Sequence, residues 1–186
     1  MLTPRTSARV LTTVALWLLL HAGVASPQAL EYDLKAALLF KISKFIRWPE
    51  GSFGANNTLQ LCIIGRDDFG ASADALVGKR LLGQSLLISR LQPGQATTGC
   101  HIVFVGRSEK DRLGPILASL AHQPALTVSD IEGFAARGGV VGFATRDHKI
   151  SFEINPAAGK RAGLEIGAQL LQLATIVPDS HTEGAP

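Results

Sequence analysis

The sequence predicts one layered α/β domain, a mixed β-sheet flanked by helices, behind an N-terminal signal peptide. Three observations predict it. Short apolar runs bounded by turns (59 to 64, 100 to 105, 125 to 128) alternate with segments of helical period, as strands joined by helical crossovers do. A late pair of alternating segments, 140 to 145 and 150 to 154, reads as an antiparallel hairpin, which makes the sheet mixed. Ahead of both, Arg5 and Arg9 precede the apolar run Val10 to Leu20 and the small residues Ala22 to Ser26, the basic–apolar–small order of a secretory leader.

Cleavage is expected after Ala25, with an uncleaved anchor as the alternative; the run is short for a membrane span. This gives a leader over 1–25, an α/β domain over 30–177 and a tail over 178–186. No cysteine lies just after the apolar run, which argues against a lipid-anchored lipoprotein, and no later segment is long and apolar enough to span a bilayer. The formal charge of +3 includes Arg5 and Arg9, so the mature chain carries +1. The basic balance therefore gives no argument for nucleic-acid binding.

In chain order, Tyr32 to Trp48 reads as a helix ended by Pro49. Its apolar arc is expected to be Leu34, Leu38, Ile42 and Phe45, with Leu39 and Ile46. Lys41, Lys44 and Arg47 lie opposite, as a solvated face or a surface for an acidic partner or lipid headgroups. Leu59 to Ile64 is a buried strand, and Asp67 or Asp68 caps a helix running to about Val77. Two short β segments, Lys79 to Leu82 and Ser85 to Leu91, flank Gly83. Cys100 to Val105 is the next buried strand. Ser108 and Asp111 then stand at capping-box spacing before a helix to about Ala121, with Pro115 distorting its first turn. Ala125 to Val128 leads into Ser129-Asp130 and a loop where Gly133, Gly138 and Gly139 supply backbone freedom. In the late hairpin, turning near Asp147 and His148, Ile150, Phe152 and Ile154 point one way and Ser151, Glu153 and Asn155 the other. Asn155-Pro156 caps and starts a short helix through Ala162. Leu164 to Ile166 is extended and Ala168 to Ala174 helical.

No catalytic constellation is present. There is no Walker loop, no G-x-G-x-x-G and no nucleophile elbow, and the histidines have no paired spacing. Glu153 and Glu165 are single carboxylates without an evident partner. No enzyme activity, cofactor or metal is therefore expected. Cys62 and Cys100, an even count in an exported chain, predict one disulfide worth roughly 4 kcal/mol by the chain-entropy argument, since only His101 stands near them as a further metal ligand. Two turns are alike: Ile64-Gly65-Arg66 and Val105-Gly106-Arg107. Each sets an arginine past the carboxyl end of a strand, where open α/β sheets bind ligands. A pocket for a small anion is one reading; solvated arginines, or pairs with Asp67, Asp68 or Glu109, are the other.

An ordered set of segments carries a resemblance. It comprises Tyr32-x-x-Lys35-Ala36-Ala37-x-x-Phe40, Phe45-x-x-Trp48-Pro49, Leu61-Cys62-Ile63-Ile64-Gly65, Leu76-x-Gly78-Lys79-Arg80, Cys100-His101-Ile102-x-Phe104-Val105 and Leu126-Thr127-Val128-Ser129-Asp130. Phe134-Ala135-x-Arg137-Gly138-Gly139, Ile150-x-Phe152-Glu153-Ile154-Asn155 and Leu170-Leu171-x-Leu173-Ala174 complete it. Across nearly the whole mature chain this resembles the YfiR family of periplasmic proteins. The resemblance implies a non-enzymatic repressor that binds the periplasmic part of an inner-membrane diguanylate cyclase, or a similar sensor, and lowers cyclic-di-GMP signalling and biofilm formation. It further implies an outer-membrane lipoprotein that takes part in release, a homodimer, and shared cysteines at Cys62 and Cys100. The second cysteine pair that some members carry near the late hairpin is absent here, which makes Cys62–Cys100 mainly a structural staple. Expected partner contacts are Arg137, Phe143, Glu153 and Asn155, with Phe143 as an exposed aromatic hot spot or, alternatively, a core residue. A periplasmic small-anion binder using Arg66 and Arg107 is the second function class.

Overall fold

The computed structural model describes residues 27–54, 56–146 and 149–178. The expected leader, all of the expected tail but Pro178, and the turn at Asp147 and His148 lie outside the described residues.

Helix α1 (Pro27–Ser43) starts earlier and stops sooner than expected, and it leads into the short strand β1 (Ile46–Arg47). Strand β2 (Thr58–Ile64) follows, then the one-turn helix α2 (Ala71–Asp74), shorter than expected, and the hairpin of β3 (Arg80–Leu81) and β4 (Gln84–Leu91). Asp67 Oδ1 accepts from the backbone N–H groups of Phe69 and Gly70, organising the turn before α2 rather than capping a long helix. Strand β5 (Ile102–Val105) runs through a 3-10 turn (Arg107–Arg112) into α3 (Leu113–Leu120). Ser108 does not close a capping box; its Oγ accepts from Arg66 N and donates to Glu109. Then come β6 (Leu126–Ser129), the hairpin β7 (Val141–Arg146) and β8 (Lys149–Ile154), and α4 (Pro156–Arg161). The chain closes with β9 (Glu165–Ile166), α5 (Ala168–Leu173) and β10 (Thr175–Ile176).

Eight strands form one mixed sheet in the order β10-β8-β7-β6-β5-β2-β4-β3, and β1 pairs separately with β9. Strands β4, β2, β5, β6 and β7 run parallel to one another, and β2, the first of the five in the chain, lies between β4 and β5. This is the doubly wound order whose topological switch lies between the first and third strands, here β2 and β5. The β7–β8 hairpin is antiparallel, with Phe143 opposite Phe152 and Gly142 opposite Glu153.

Alternation along the central strands divides the core between the two faces. Leu59, Leu61 and Ile63 of β2 join Ile102, Phe104, Leu126 and Val128 beneath α1 and α2. Cys62 and Ile64 join Val103, Val105, Leu113, Leu117 and Phe134 beneath α3. The Cys62–Cys100 disulfide forms within this second cluster. His101 is a brace: its Nδ1 accepts from Gln60 N, its Nε2 lies 2.9 Å from Ser52 O, and its ring stacks on Phe53. Gly139 answers to space rather than to backbone freedom, because a Cβ there would run into the Phe134 ring.

Candidate functional site: the strand-end edge

At the carboxyl end of the sheet, α1 crosses the exits of β5, β6 and β7, and its buried face matches the expected one only in part: Leu39 and Ile42 are buried and Leu38 packs on the core, as expected, but the face also takes in Lys35. Tyr32, Lys35, Ala36, Leu39, Ile42 and Ser43 are buried, while Leu34 is 49% and Phe45 38% exposed. The expected arc was thus rotated away from a face that contains a lysine. Lys35 is 0% exposed because two carboxylates meet it: its Nζ lies 2.5 Å from Asp130 Oδ2 and 2.5 Å from Glu31 Oε1. A buried ammonium without such partners would be far costlier than any helix gains.

Asp130 Oδ2 is the hub. It also accepts from Tyr32 Oη at 2.8 Å and pairs with Arg107 Nε at 3.0 Å. Arg107 reaches Glu31 at 3.6 Å, and Thr145 Oγ1 donates to the same Glu31 oxygen. Lys35 stands 4.5 Å from the centre of the Tyr32 ring, which packs edge-on against Phe69, itself against Phe104. The hydrogen bond from Lys35 holds the Glu31 carboxyl below the ordinary carboxylate value, helped by the charges of Lys35 and Arg107 and opposed by partial burial. Burial, then the bond to Asp130, pushes the Tyr32 phenol well above its ordinary value, so it remains a donor. Two cations, Lys35 and Arg107, thus face two anions, Glu31 and Asp130. The cluster is neutral, and all of the bonds to Asp130 fall on Oδ2; its other oxygen, Oδ1, is buried without a hydrogen-bond partner.

Arg66 and Arg107 do arrive at the same edge, since Gly106 N donates to Ile64 O at 2.9 Å and seats one turn on the other. Arg66 lies outside, bonded to Asp68 Oδ1 at 2.7 Å. Of the two expectations for these arginines, pairing with carboxylates describes both, although Arg107 pairs with Asp130 and Glu31 instead of Glu109. Glu109 is bonded by Ser108 and paired with Arg112.

Beside the hub, a cleft of about 480 Å³ is lined by Arg107, Lys110, Asp130, Glu132, Gly142 and Glu153, among others. Among the residues expected to touch a partner, Glu153 is half-buried on its wall and Arg137 is exposed on the loop before β7. The other two expectations need correction. Phe143 is only 4% exposed, since alternation turns it, with Phe152, into the α1-side core. Asn155 is fully buried: its Oδ1 accepts from Ala158 N as the cap of α4, and its Nδ2 donates to Ala135 O. The Asn-Pro signal had already marked it as a cap. Missed altogether was the Glu31–Tyr32–Lys35–Asp130 cluster. Its one sequence signal was Lys35, three residues after Tyr32 and four before Leu39, in phase with an apolar face.

Among the described residues, no group of three or more His, Cys, Asp or Glu side chains is placed to hold a metal, and no helix is long and apolar enough to cross a membrane.

Fold and edge define a doubly wound α/β domain with a buried ion-pair network where such folds commonly take ligands. Within that class, the sequence matches the DUF4154 family, described as YfiR/HmsC-like, over residues 32–175, and the chain belongs to this family. The family as a whole is one of regulators of diguanylate cyclase signalling. The Cys62–Cys100 disulfide is of the kind that persists in oxidising compartments. The fold is also similar to the crystal structure of a conserved domain protein from Vibrio cholerae O1 biovar eltor, with a TM-score of 0.52 at 9% identity. That alignment covers 78% of this chain and 59% of the other, so this chain spans less than two thirds of that protein.

Proposed function

We propose that this protein, exported by a leader cleaved after Ala25, binds the periplasmic part of an inner-membrane diguanylate cyclase and holds it inactive, lowering cyclic-di-GMP output. The observation that carries the reading is the family match across residues 32–175. The geometry is compatible with it, because a cleft of about 480 Å³ lies beside ion pairs among Glu31, Lys35, Arg107 and Asp130. The repressor acts by preferring the inactive state of its partner, and whatever removes it shifts that equilibrium back. An outer-membrane lipoprotein competing for the repressor, and a homodimeric repressor, complete the scheme. The docking surface runs along the cleft wall from Glu153 past Glu132 to the Arg137 loop; Phe143 and Asn155 shape it from inside. The anion-binding alternative rested on Arg66 and Arg107, and neither is unpaired.

The test is affinity capture from cross-linked periplasm and inner membrane, with cyclic-di-GMP measured in cells lacking the protein. Recovery of a membrane protein bearing a cytoplasmic GGDEF domain, with raised cyclic-di-GMP in the deletion, is expected. No such partner and unchanged cyclic-di-GMP would overturn the reading. Glu153→Arg then maps the surface: binding should weaken with the unfolding midpoint unchanged, and unaltered affinity would remove Glu153 from it.

A further inference from the structure

We propose that the basic, apolar-tipped surface formed by the end of α1 and the β3–β4 turn docks on the anionic headgroup surface of a phospholipid bilayer. The sequence offers Lys41, Lys44 and Arg47 as a solvated face or a docking surface, and all three are exposed. A cleft of about 450 Å³ separates Lys44, Phe45 and Arg47 from Leu82 on the hairpin. Register sets Leu81 opposite Gln84, so Leu82 and Gly83 alone make the turn between β3 and β4. Both have positive φ, +52° and +80°. Such turns favour Asn, Asp or Gly at the first position, because a larger side chain is strained in the left-handed region. Leucine stands there instead and is 45% exposed. The tip stands clear of the fold, since a Cβ on Gly83 would meet nothing within 4 Å. The turn disfavours this leucine and the core gains little from it, and an outlier of that kind points to a function.

Phe45, also exposed, faces the same cleft from the end of α1. Around these two apolar groups the charge is positive. Lys44 N donates to Lys41 O, so both lysines share the last turn, and Lys44 Nζ lies 5.0 Å from the centre of the Phe40 ring. Arg80 donates from Nη1 to Gly83 O at 2.9 Å, which holds its guanidinium at the hairpin tip, and exposed Lys79 precedes it. Among the described residues lining the cleft, Glu165 is the one acid, and it pairs with Arg47. This composition selects the occupant. Protein interfaces are poor in lysine and rely on arginine and on aromatic anchors seated in pockets. Here lysines predominate, Arg47 is already paired, and the apolar groups stand forward. Lysine stems lying along apolar surface, around side chains that can enter the headgroup–acyl boundary, make a peripheral membrane contact. Each cation near an anionic surface adds to the attraction. Such docking would hold the repressor beside the membrane that anchors its proposed partner, yet lipid alone is the ligand.

Protein recovered from the periplasm, free of its leader, is sedimented with vesicles of phosphatidylglycerol and phosphatidylethanolamine, and separately with vesicles of phosphatidylcholine. Binding to the anionic vesicles alone is expected, falling by about tenfold or more from low to high salt. Lys41→Glu with Lys44→Glu, both at exposed positions, should weaken it by about tenfold or more and leave the unfolding midpoint unchanged. Leu82→Asn should move the two readouts in opposite directions. Its unfolding midpoint should rise, because Asn tolerates the turn, while vesicle binding weakens by about threefold or more. Should a variant fail to fold, the lipid and salt comparison on the unaltered protein decides alone. No binding to the anionic vesicles overturns the proposal, as does equal binding to both compositions or binding unmoved by either variant. Capture of an acidic soluble protein through Lys41 and Lys44, with the vesicles left unbound, would assign the surface to that protein and equally overturn docking on lipid. The vesicles carry no protein, so none of these outcomes bears on the cyclase reading.

Discussion

Two turns that are nearly identical in sequence do different work. Ile64-Gly65-Arg66 and Val105-Gly106-Arg107 leave adjacent parallel strands in register, with Ile64 beside Val105. Gly65 has φ +86°, in the left-handed region, and a Cβ there would also meet the Ser108 and Glu109 side chains. Gly106 has an ordinary φ of −67°, yet a Cβ on it would fall 2.7 Å from Arg66 O. Arg66 stays at the surface with Asp68, whereas Arg107 turns to Asp130 beneath α1. Strand order makes the difference. β5 has β6 as its neighbour, and β6 delivers Asp130; β2 has β4, whose end delivers no acid. A local motif sets the turn, and topology decides what its arginine meets.

The sharpest test removes the carboxylate that each arginine faces. Asp130→Asn strips a charge from Lys35, a buried cation, and should cost about 3–5 kcal/mol by urea unfolding. Asp68→Asn should cost far less, because its arginine is solvated and screened. Replacing Lys35 and Asp130 together by Met and Leu should recover much of the loss, since the penalty comes from the orphaned charge. Equal losses for the two single variants would show that both turns are held in the same way.

The glycines come next in size. Gly106→Ala puts a methyl against backbone that cannot swing aside and should cost roughly 1–3 kcal/mol through displacement of the paired turns. Gly65→Ala meets side chains that can move, so its cost is set mainly by the left-handed backbone, about 1–2 kcal/mol. Thermal unfolding of both variants separates the causes. Gly65→Asn should recover part of the Gly65→Ala loss because Asn tolerates that region, while Gly106→Asn should recover nothing.

The same contrast explains what was legible in the sequence. The central strands, both glycine turns and the Asn155-Pro156 cap follow from local chemistry and could be read directly, whereas β1 fell inside the expected helix and β10 was not expected. The buried face of α1 was legible at Leu39 and Ile42 but not at Lys35. Lys35 is inside only because Asp130, 95 residues further on, arrives at the end of a strand three places along the sheet from β4. A charged residue weighed alone points to solvent, which rotated the expected arc towards Leu34 and Phe45. Phe143 was left between an exposed hot spot and the core, and the structure places it in the core. Alternation with Phe152 was readable only after the hairpin register was known, and that register places both rings on the α1 side.

The two arginines themselves should give smaller effects. Arg107→Ala loses a pair to a buried carboxylate that keeps Lys35 and Tyr32, so about 1 kcal/mol is expected. Arg66→Ala should leave the urea midpoint unchanged. Reversal of that order would place the structural role on the outer turn.

The smallest effect is a slope with pH, and it belongs to the inner cluster alone. Glu31 has its folded-state pKa lowered, first by the hydrogen bond from Lys35. A carboxyl depressed on folding contributes stability that is fully present above its unfolded value, near 4.3, and is lost as pH falls through the lower folded value. Between about pH 5 and pH 3 the unaltered protein should therefore lose more of its unfolding midpoint than Glu31→Gln does. Parallel slopes for Glu31→Gln and the unaltered chain would mean that Lys35 relies on Asp130 alone, and that the inner turn is held by one carboxylate rather than two.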